Sequence, residues 1–277
     1  MMQRLDSLID FALDETREPY FYAVINGASP SGSLTDIYQQ YEVKQCASLF
    51  EGSIFQGNEK AGPWLLQLAS TSPAHNYPYT SDWGFYLYHQ LNFQGLFKLL
   101  QSYLTAQTAQ QTVLVRWWDP RILFHLLQDL SADTPFINAI GLVLFNYQNA
   151  WYINPSHQDE WSHDDALERA PWILQATDFA SYRQSDYYIK QLAIAISENW
   201  LRYDQEKWRT LNNANQPLYV QLIPIITSVK QQGVHEYQHI EQFCHFAITH
   251  HKSPDWLLSK KTNSPQSWLA NLSKDLT

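Results

Sequence analysis

The sequence predicts an α+β N-terminal lobe, a small sheet flanked by helices, followed by an all-α C-terminal lobe. Three observations predict it. Between residues 20 and 153, short β-branched and aromatic runs bounded by Gly, Asn or Pro alternate with stretches of helical spacing. From Asp178 onward only helical periodicity is present. Between the two regions, Pro155 to Asp165 is polar and carries His and acidic residues, as a linker would. Strands mixed with helices first and helices alone afterwards divide the chain into an α/β core lobe over 1–155, a linker region over 156–177 and a helical lobe over 178–277.

The elements follow in order. Leu5, Leu8, Ile9, Ala12 and Leu13 paint one face of a helix over 3–17, which Pro19 ends. Tyr20 to Ile25 reads as a strand, and Asn26-Gly27 supplies its turn. Pro30 to Ser33 is a loop, after which Leu34, Ile37, Tyr38 and Tyr41 have helical spacing. Gly52 to Gly62 is a polar loop, Pro63 to Leu68 a short apolar strand, and Ser70 to Ser81 a long loop with two prolines. Trp83 to Tyr88 reads as a strand and Leu91 to Leu104 as an amphipathic helix. Val113 to Trp118 reads as another strand. Asp119-Pro120 breaks it and opens a helix, because Asp accepts from a free backbone N–H and Pro suits the first helical position. Ile122, Leu123, Leu126, Leu127 and Leu130 form the buried stripe of that helix. Leu142 to Tyr147 and Ala150 to Ile153 form a hairpin around Gln148-Asn149. Tyr182 to Arg202, Pro217 to Gln231 and Glu236 to His250 are helices of the second lobe.

Composition excludes several classes. The net charge is −9, from 27 acidic and 18 basic residues, which is a poor basis for neutralising phosphates or meeting an anionic membrane. Neither a nucleic-acid partner nor a membrane is therefore expected. The N-terminus has no uninterrupted apolar core of a signal peptide, and no stretch approaches the ~18 apolar residues of a membrane span. Cys46 and Cys244 stand far apart, as two buried thiols in a reducing compartment would. A cytoplasmic protein is expected. Aromatic residues make up 15% of the chain, which suits both an aromatic core and a protein-binding surface.

One string carries possible chemistry. His235-Glu236-Tyr237-Gln238-His239 fits H-E-x-x-H, in which two His bind zinc and the Glu acts as a general base of a metallopeptidase. His245 stands where a longer form of the motif has its third ligand. That form needs Gly where this chain has Gln242. In an unbroken helix His245 would lie about 80° away from His235 and ~15 Å along the axis. Gly233 also places the string at a helix start, and ten His residues make a chance match easy. The opposing reading is a packed helix with Tyr237, Ile240, Phe243, Cys244 and Ala247 inward and His235 and His239 solvated or capping. His157 and His163 lie among Asp159, Glu160, Asp164 and Asp165 in the linker, and read as a solvated loop. No nucleophile elbow, Walker loop or dinucleotide fingerprint is present.

The segment Val115-Arg116-Trp117-Trp118-Asp119-Pro120-Arg121-Ile122-Leu123 resembles the signature of the type VI secretion effector-adaptor family, the Tap or Tec chaperones. Three further pieces resemble that family in the same order: Tyr22 to Ala28, Gly62-Pro63-Trp64-Leu65, and Trp83-Gly84. Asn26 stands where the family usually has Asp, and the segment after Ile140 is less similar. Gln232-Gly233-Val234 is similar to a helix–Gly–helix joint of the family's C-terminal lobe.

The resemblance implies an adaptor without catalysis and without a cofactor, which binds one cognate type VI effector and helps load it onto the VgrG spike. A structural part of the secretion machine is the other role it leaves open. A carboxylate at 119 between the guanidiniums of Arg116 and Arg121 is able to lock the strand-to-helix turn; an exposed pair that reads a partner is the alternative. In the helical lobe, Trp200, Tyr203 and Trp208 are candidate partner contacts, although their spacing also fits core packing.

Overall fold

The computed structural model describes residues 2–5, 20–29, 34–69, 82–131, 134–154, 171–203, 205–212 and 216–274. The chain divides into two compact units, Met1–Ser181 and Tyr182–Thr277.

The first unit is built on a seven-stranded sheet. In chain order its strands are β1 (Gln3–Leu5), β2 (Tyr20–Asn26), β3 (Val43–Ser48), β4 (Pro63–Leu68), β5 (Gly84–His89), β8 (Leu142–Tyr147) and β9 (Ala150–Asn154). Their spatial order is β1-β9-β8-β5-β2-β4-β3, and every neighbouring pair is antiparallel. A separate two-stranded ribbon joins β6 (Thr105–Gln107) to β7 (Thr112–Leu114). The helices of this unit are α1 (Leu34–Gln40), α2 (Phe93–Ser102), α3 (Pro120–Asp129) and α4 (Pro135–Ala139).

Burial explains which strands are central. All six residues of β5 are buried, and in β2 all but Tyr20 are. A strand covered on both faces loses the polar half of its alternation, so it reads as one apolar run. On one face Phe21, Ala23 and Ile25 cluster with Ile37 of α1, Tyr41, Tyr86 and Tyr88. The Phe21 ring stacks on Tyr88 at 4.6 Å between centroids, and the Tyr41 and Tyr86 hydroxyls bond at 2.8 Å. Successive side chains of a strand alternate faces, so Tyr22 points the other way, where its hydroxyl donates to the Leu91 carbonyl at 2.7 Å.

Among the elements that differ from the sequence expectation, four bear on the sheet unit's architecture. Gln3–Leu5 is a strand on β9 rather than the start of a helix over 3–17; the open edge of the β8–β9 hairpin offers these residues backbone hydrogen bonds that override local helical spacing. Residues 6–17 of that expected helix lie outside the described residues. β3 was not expected, because the half-exposed edge strand Val-Lys-Gln-Cys-Ala-Ser carries little apolar pattern. The expected strand over 113–118 stops at Leu114. Beyond it Asp119 N–H bonds back to the Arg116 carbonyl at 3.1 Å, and the resulting turn buries both Trp117 and Trp118. Finally, residues 171–175, read from sequence as linker, pair with β6. Gln107 N–H donates to Trp172 O and Leu174 N–H to Gln107 O. The Trp172 ring stacks 4.5 Å from Phe136. Residues 155–170, with the His and acidic cluster expected there, lie outside the described residues, as do the loops expected over 30–33 and 70–81.

The β8–β9 hairpin turns through Gln148 (φ 50°) and Asn149 (φ 61°), the left-handed pair that a two-residue turn of this twist needs.

The second unit is helical: α6 (Asp186–Tyr203), α7 (Gln205–Leu211), α8 (Leu218–Gln231), α9 (Tyr237–Thr249), α10 (Pro254–Ser259) and α11 (Pro265–Lys274). The short α5 (Ala180–Gln184) spans the boundary between the units. Ile189, Leu192, Ala193 and Ile196 of α6, Leu222, Ile225, Ile226 and Val229 of α8, and Ile240, Phe243, Cys244 and Ala247 of α9 form one core. Their three- and four-residue spacing is what a buried helical stripe requires. Tyr237, expected on that stripe, is exposed at the first position of α9.

α8 ends in a complete Schellman motif. Val234 N–H bonds to Val229 O at 3.2 Å and Gly233 N–H to Lys230 O at 2.9 Å, with Gly233 at φ 88° and Val234 buried. This joint positions the start of α9.

Candidate functional site

The string at 116–121 is a turn built around one buried carboxylate. Asp119 caps α3, and its Oδ1 accepts from Arg121 N–H at 3.1 Å. The same oxygen accepts from Arg121 Nε at 2.8 Å while Oδ2 accepts from Arg121 Nη2 at 2.7 Å, a bidentate fork. Arg116 Nη2 adds a longer contact to Oδ2 at 3.4 Å. The Asp119 side chain is fully buried, whereas those of Arg116 and Arg121 are partly exposed. Pro120 occupies the first helical position, where a missing N–H costs nothing.

The two tryptophans hold the turn against the core. Trp117 Nε1 donates to the Tyr103 carbonyl at 2.9 Å, and its ring lies near Phe85 and Phe136. Trp118 meets Phe50 edge-on at 5.6 Å and Trp117 at 5.8 Å.

The other motif pieces converge on the same end of the sheet. Asn26 pairs with Pro63, and Ile25 with Gly84. Asn26 N–H bonds to Trp83 O at 2.8 Å, its side-chain amide to Asp82 O at 3.0 Å, and Gly27 N–H to Gly62 O at 3.1 Å. Gly84 has φ 138°, and a Cβ there would overlap the Val24 carbonyl, so the strand approach demands glycine. Asp82 Oδ2 reaches Arg121 Nη1 at 4.0 Å and links this knot to the signature turn. Residues distant in sequence thus form one structural assembly around the ends of β2, β4 and β5.

The H-E-x-x-H string is arranged differently from a zinc helix. That chemistry needs both His on one helical face. Here α9 starts at Tyr237 and Glu236 is its extended N-cap (φ −74°, ψ 129°), so His235 precedes the helix. Glu236 turns to His239 instead, Oε2 to Nδ1 at 3.1 Å, and Gln266 Nε2 lies 3.2 Å from His239 Nε2. His245 packs edge-on to Trp200 at 5.5 Å. Among the described residues no group of three His, Cys, Asp or Glu is placed to hold a metal.

Of the candidate partner contacts, Trp200 belongs to the helical core. Trp208 is half-buried and its Nε1 donates to Ser197 Oγ at 3.1 Å. Tyr203 is 82% exposed.

Sequence reasoning did not single out a Ser–His–Asp contact in the first unit. Ser181 Oγ donates to Asp129 Oδ2 at 2.8 Å and lies 3.0 Å from His125 Nδ1. The order is wrong for a nucleophile, since the carboxylate holds the serine and not the histidine. Ser181 N–H also bonds to Asp129 Oδ2 at 2.8 Å, so the contact fastens the segment at 181 to α3. Burial pushes the His125 pKa below its usual value, against the opposing pull of Asp129.

The fold and the signature turn together define an antiparallel sheet scaffold joined in sequence to a helical unit, with the most specific residues committed to internal bonds. Residues 21–134 match the model of the family DUF4123, described as a domain of unknown function. This is the type VI secretion effector chaperone and adaptor family that the Arg116–Arg121 segment resembles. No curated protein and no solved structure matched the chain.

Proposed function

We propose that this chain is an adaptor that binds one cognate type VI effector in the cytoplasm and helps load it onto the VgrG spike. Its action is stoichiometric binding rather than turnover. The family domain over residues 21–134 carries this reading, because the family is one of effector adaptors. Two structural observations support it. The most specific polar residues, Asp119 and Arg121, are spent on the turn itself, which suits a rigid platform. No helix among the described residues is long and apolar enough to cross a membrane. In this reading the lobe over 1–155 is the platform, and the helical lobe over 178–277, beyond the family match, supplies cargo contacts such as Tyr203. The acidic balance of the chain favours a basic patch on the partner and slows the approach of acidic competitors.

The test is co-purification of the tagged chain from its native host, with quantitative mass spectrometry. A near-equimolar effector, whose secretion is lost when the adaptor gene is deleted, is the expected result. Retention of the chain in purified secretion particles would instead make it a structural component.

A further inference from the structure

Charge is unevenly divided between the two units. Tyr182–Thr277 carries ten Lys or Arg against eight Asp or Glu, whereas the rest of the chain carries eight against nineteen. The helical unit is therefore weakly basic in an acidic protein, and its cations are dense where α9 gives way to α10. Residues 246–261 hold Lys252, Lys260, Lys261, His250 and His251 against one acid, Asp255. Among the described residues Asp255 makes no ion pair with any of them within 4.0 Å. It lies in the first turn of α10, where a carboxylate complements the N–H groups of its own helix. Lys261 donates to Gln232 Oε1 at 2.8 Å, a neutral partner that leaves its charge in place.

This corner is built on aromatic rings. Lys252 Nζ lies over the Trp256 ring, 4.7 Å from its centroid, and Lys260 Nζ over the same ring at 5.8 Å. Phe246 packs near-parallel to Trp256 at 5.9 Å, and the His250 ring lies 4.8 Å from Phe246. Phe246 and Trp256 are partly buried against the core of the unit, so the rings form a fixed platform. A ring face attracts an ammonium, but it carries no net charge and leaves the repulsion between the two ammoniums in place. A carboxylate that joins them relieves that repulsion through charge-assisted contacts.

The backbone fixes Lys252 as well. α9 ends in a second Schellman motif, with Lys252 N–H on Ala247 O at 2.8 Å and His251 N–H on Ile248 O at 3.4 Å. At the end of α8 the left-handed position of this motif is Gly233; here it is His251, exposed and at φ 51°. A side chain in that region is strained where glycine is not, and the strain presents an imidazole beside Lys252. The next position of the motif ordinarily packs an apolar side chain back on the helix; here it sets the Lys252 ammonium over Trp256.

We propose that this corner docks a short acidic stretch of a partner polypeptide, with Lys252 and Lys260 on Trp256 at its centre and His250, His251 and Lys261 at its rim. Charge complementarity selects the occupant: the local excess of cations attracts carboxylates over the few ångströms that solvent screening allows. A long polyanion extends past that range and meets a chain of net charge −9, which disfavours a nucleic acid. The cations of residues 246–261 include no arginine, whose fork is the usual grip on phosphate. That the occupant belongs to a partner protein rests on the adaptor reading; the corner's preference for carboxylates does not.

The experiment is an NMR titration of the isotope-labelled full chain, following the indole N–H signal that is missing in Trp256→Phe. Trp256→Tyr serves for the assignment if circular dichroism shows that the Phe variant is unfolded. The probes are an end-blocked peptide of alternating glutamate and glycine, the same peptide with glutamine for glutamate, and a thymidine oligonucleotide of equal charge, all at constant ionic strength. The expected result is a saturable shift of that signal with the glutamate peptide, none with the glutamine peptide, and weaker binding of the oligonucleotide. No saturable shift with the glutamate peptide, an equal response to its glutamine counterpart, or tighter binding of the oligonucleotide overturns the proposal. In the second arm, the partner recovered by co-purification should bind the double variant Lys252→Gln, Lys260→Gln about tenfold more weakly, and Lys252→Arg, Lys260→Arg as well as the parent chain. Unchanged affinity of the glutamine variant would overturn docking at this corner but leave the adaptor role intact. If no partner is recovered, the adaptor role fails and with it the partner protein as occupant, while the peptide titration still decides the preference for carboxylates.

Discussion

The two units treat charge in opposite ways. In the sheet unit, Asp119 is fully buried and both of its oxygens are engaged by Arg121 and by a backbone amide. In the helical unit, Lys230 packs its stem away and sets its ammonium over the Tyr188 ring, 4.9 Å from the centroid. A charge satisfied by its own chain holds the fold, and removing it leaves its partners stranded. A charge carried beyond a packed aliphatic stem asks little of the fold. The comparison therefore separates a charge that the fold must neutralise from one that it leaves at the end of a flexible stem.

The strongest way to break it is Asp119→Ala. This substitution removes the bidentate partner of Arg121 and the cap of α3, and should cost about 3 kcal/mol of stability in urea denaturation. A loss below roughly 1 kcal/mol, the size of an ordinary surface pair, would remove Asp119 from the scaffold class. Gly233→Ala comes next. It forces a Cβ into the left-handed region at φ 88° with no steric clash around it, so about 1 kcal/mol is expected, from backbone strain alone. A much larger loss in the same denaturation assay would mean that the α8–α9 joint bears tertiary strain as well.

Acid should act on the sheet unit through His125. Its folded pKa lies below the ordinary histidine value, so below that value the unfolded chain binds more protons than the folded one. Stability from this group is present above pH ~6.5 and falls as pH drops from there through the lower folded pKa. Thermal melts between pH 7.5 and 5 should show that slope, and His125→Asn should flatten it; an equal slope in the variant would assign the effect elsewhere. The smallest effect is expected of Lys230→Met. Replacing an ammonium whose stem is packed and which makes no ion pair among the described residues should leave the melting temperature unchanged or slightly higher. A marked drop would show that the Tyr188 contact suffices to make Lys230 a scaffold residue, and the contrast between the units would collapse.

Legibility followed from where the information lies along the chain. Asp119 sits between Arg116 and Arg121 within six residues, so their meeting was readable from spacing. Asp82 comes from a different segment and reaches Arg121 through the fold alone. The H-E-x-x-H string fits a zinc pattern by spacing, while Gly233 already placed it at a helix start; the N-cap at Glu236 leaves His235 outside that helix. Lys230 gave no signal at all, because a lysine in the last turn of an amphipathic helix ordinarily reaches water. Its burial depends on Tyr188, brought against it by the packing of α6 on α8.

By itself, then, the sequence determined what is local: the continuous apolar runs of β2 and β5, the Asp-Pro start of α3, the left-handed turn at Gln148-Asn149 and the helical stripes of the second unit. These depend on backbone preferences and periodicity within a few residues. Tertiary structure decided the order of the seven strands, the recruitment of Gln3–Leu5 to an open edge and the bend that buries Trp117 beside Trp118. It also decided which charged side chains found a partner. The reason is that a strand edge or a desolvated charge is satisfied by whichever segment reaches it in space, and spacing along the chain does not encode that distance.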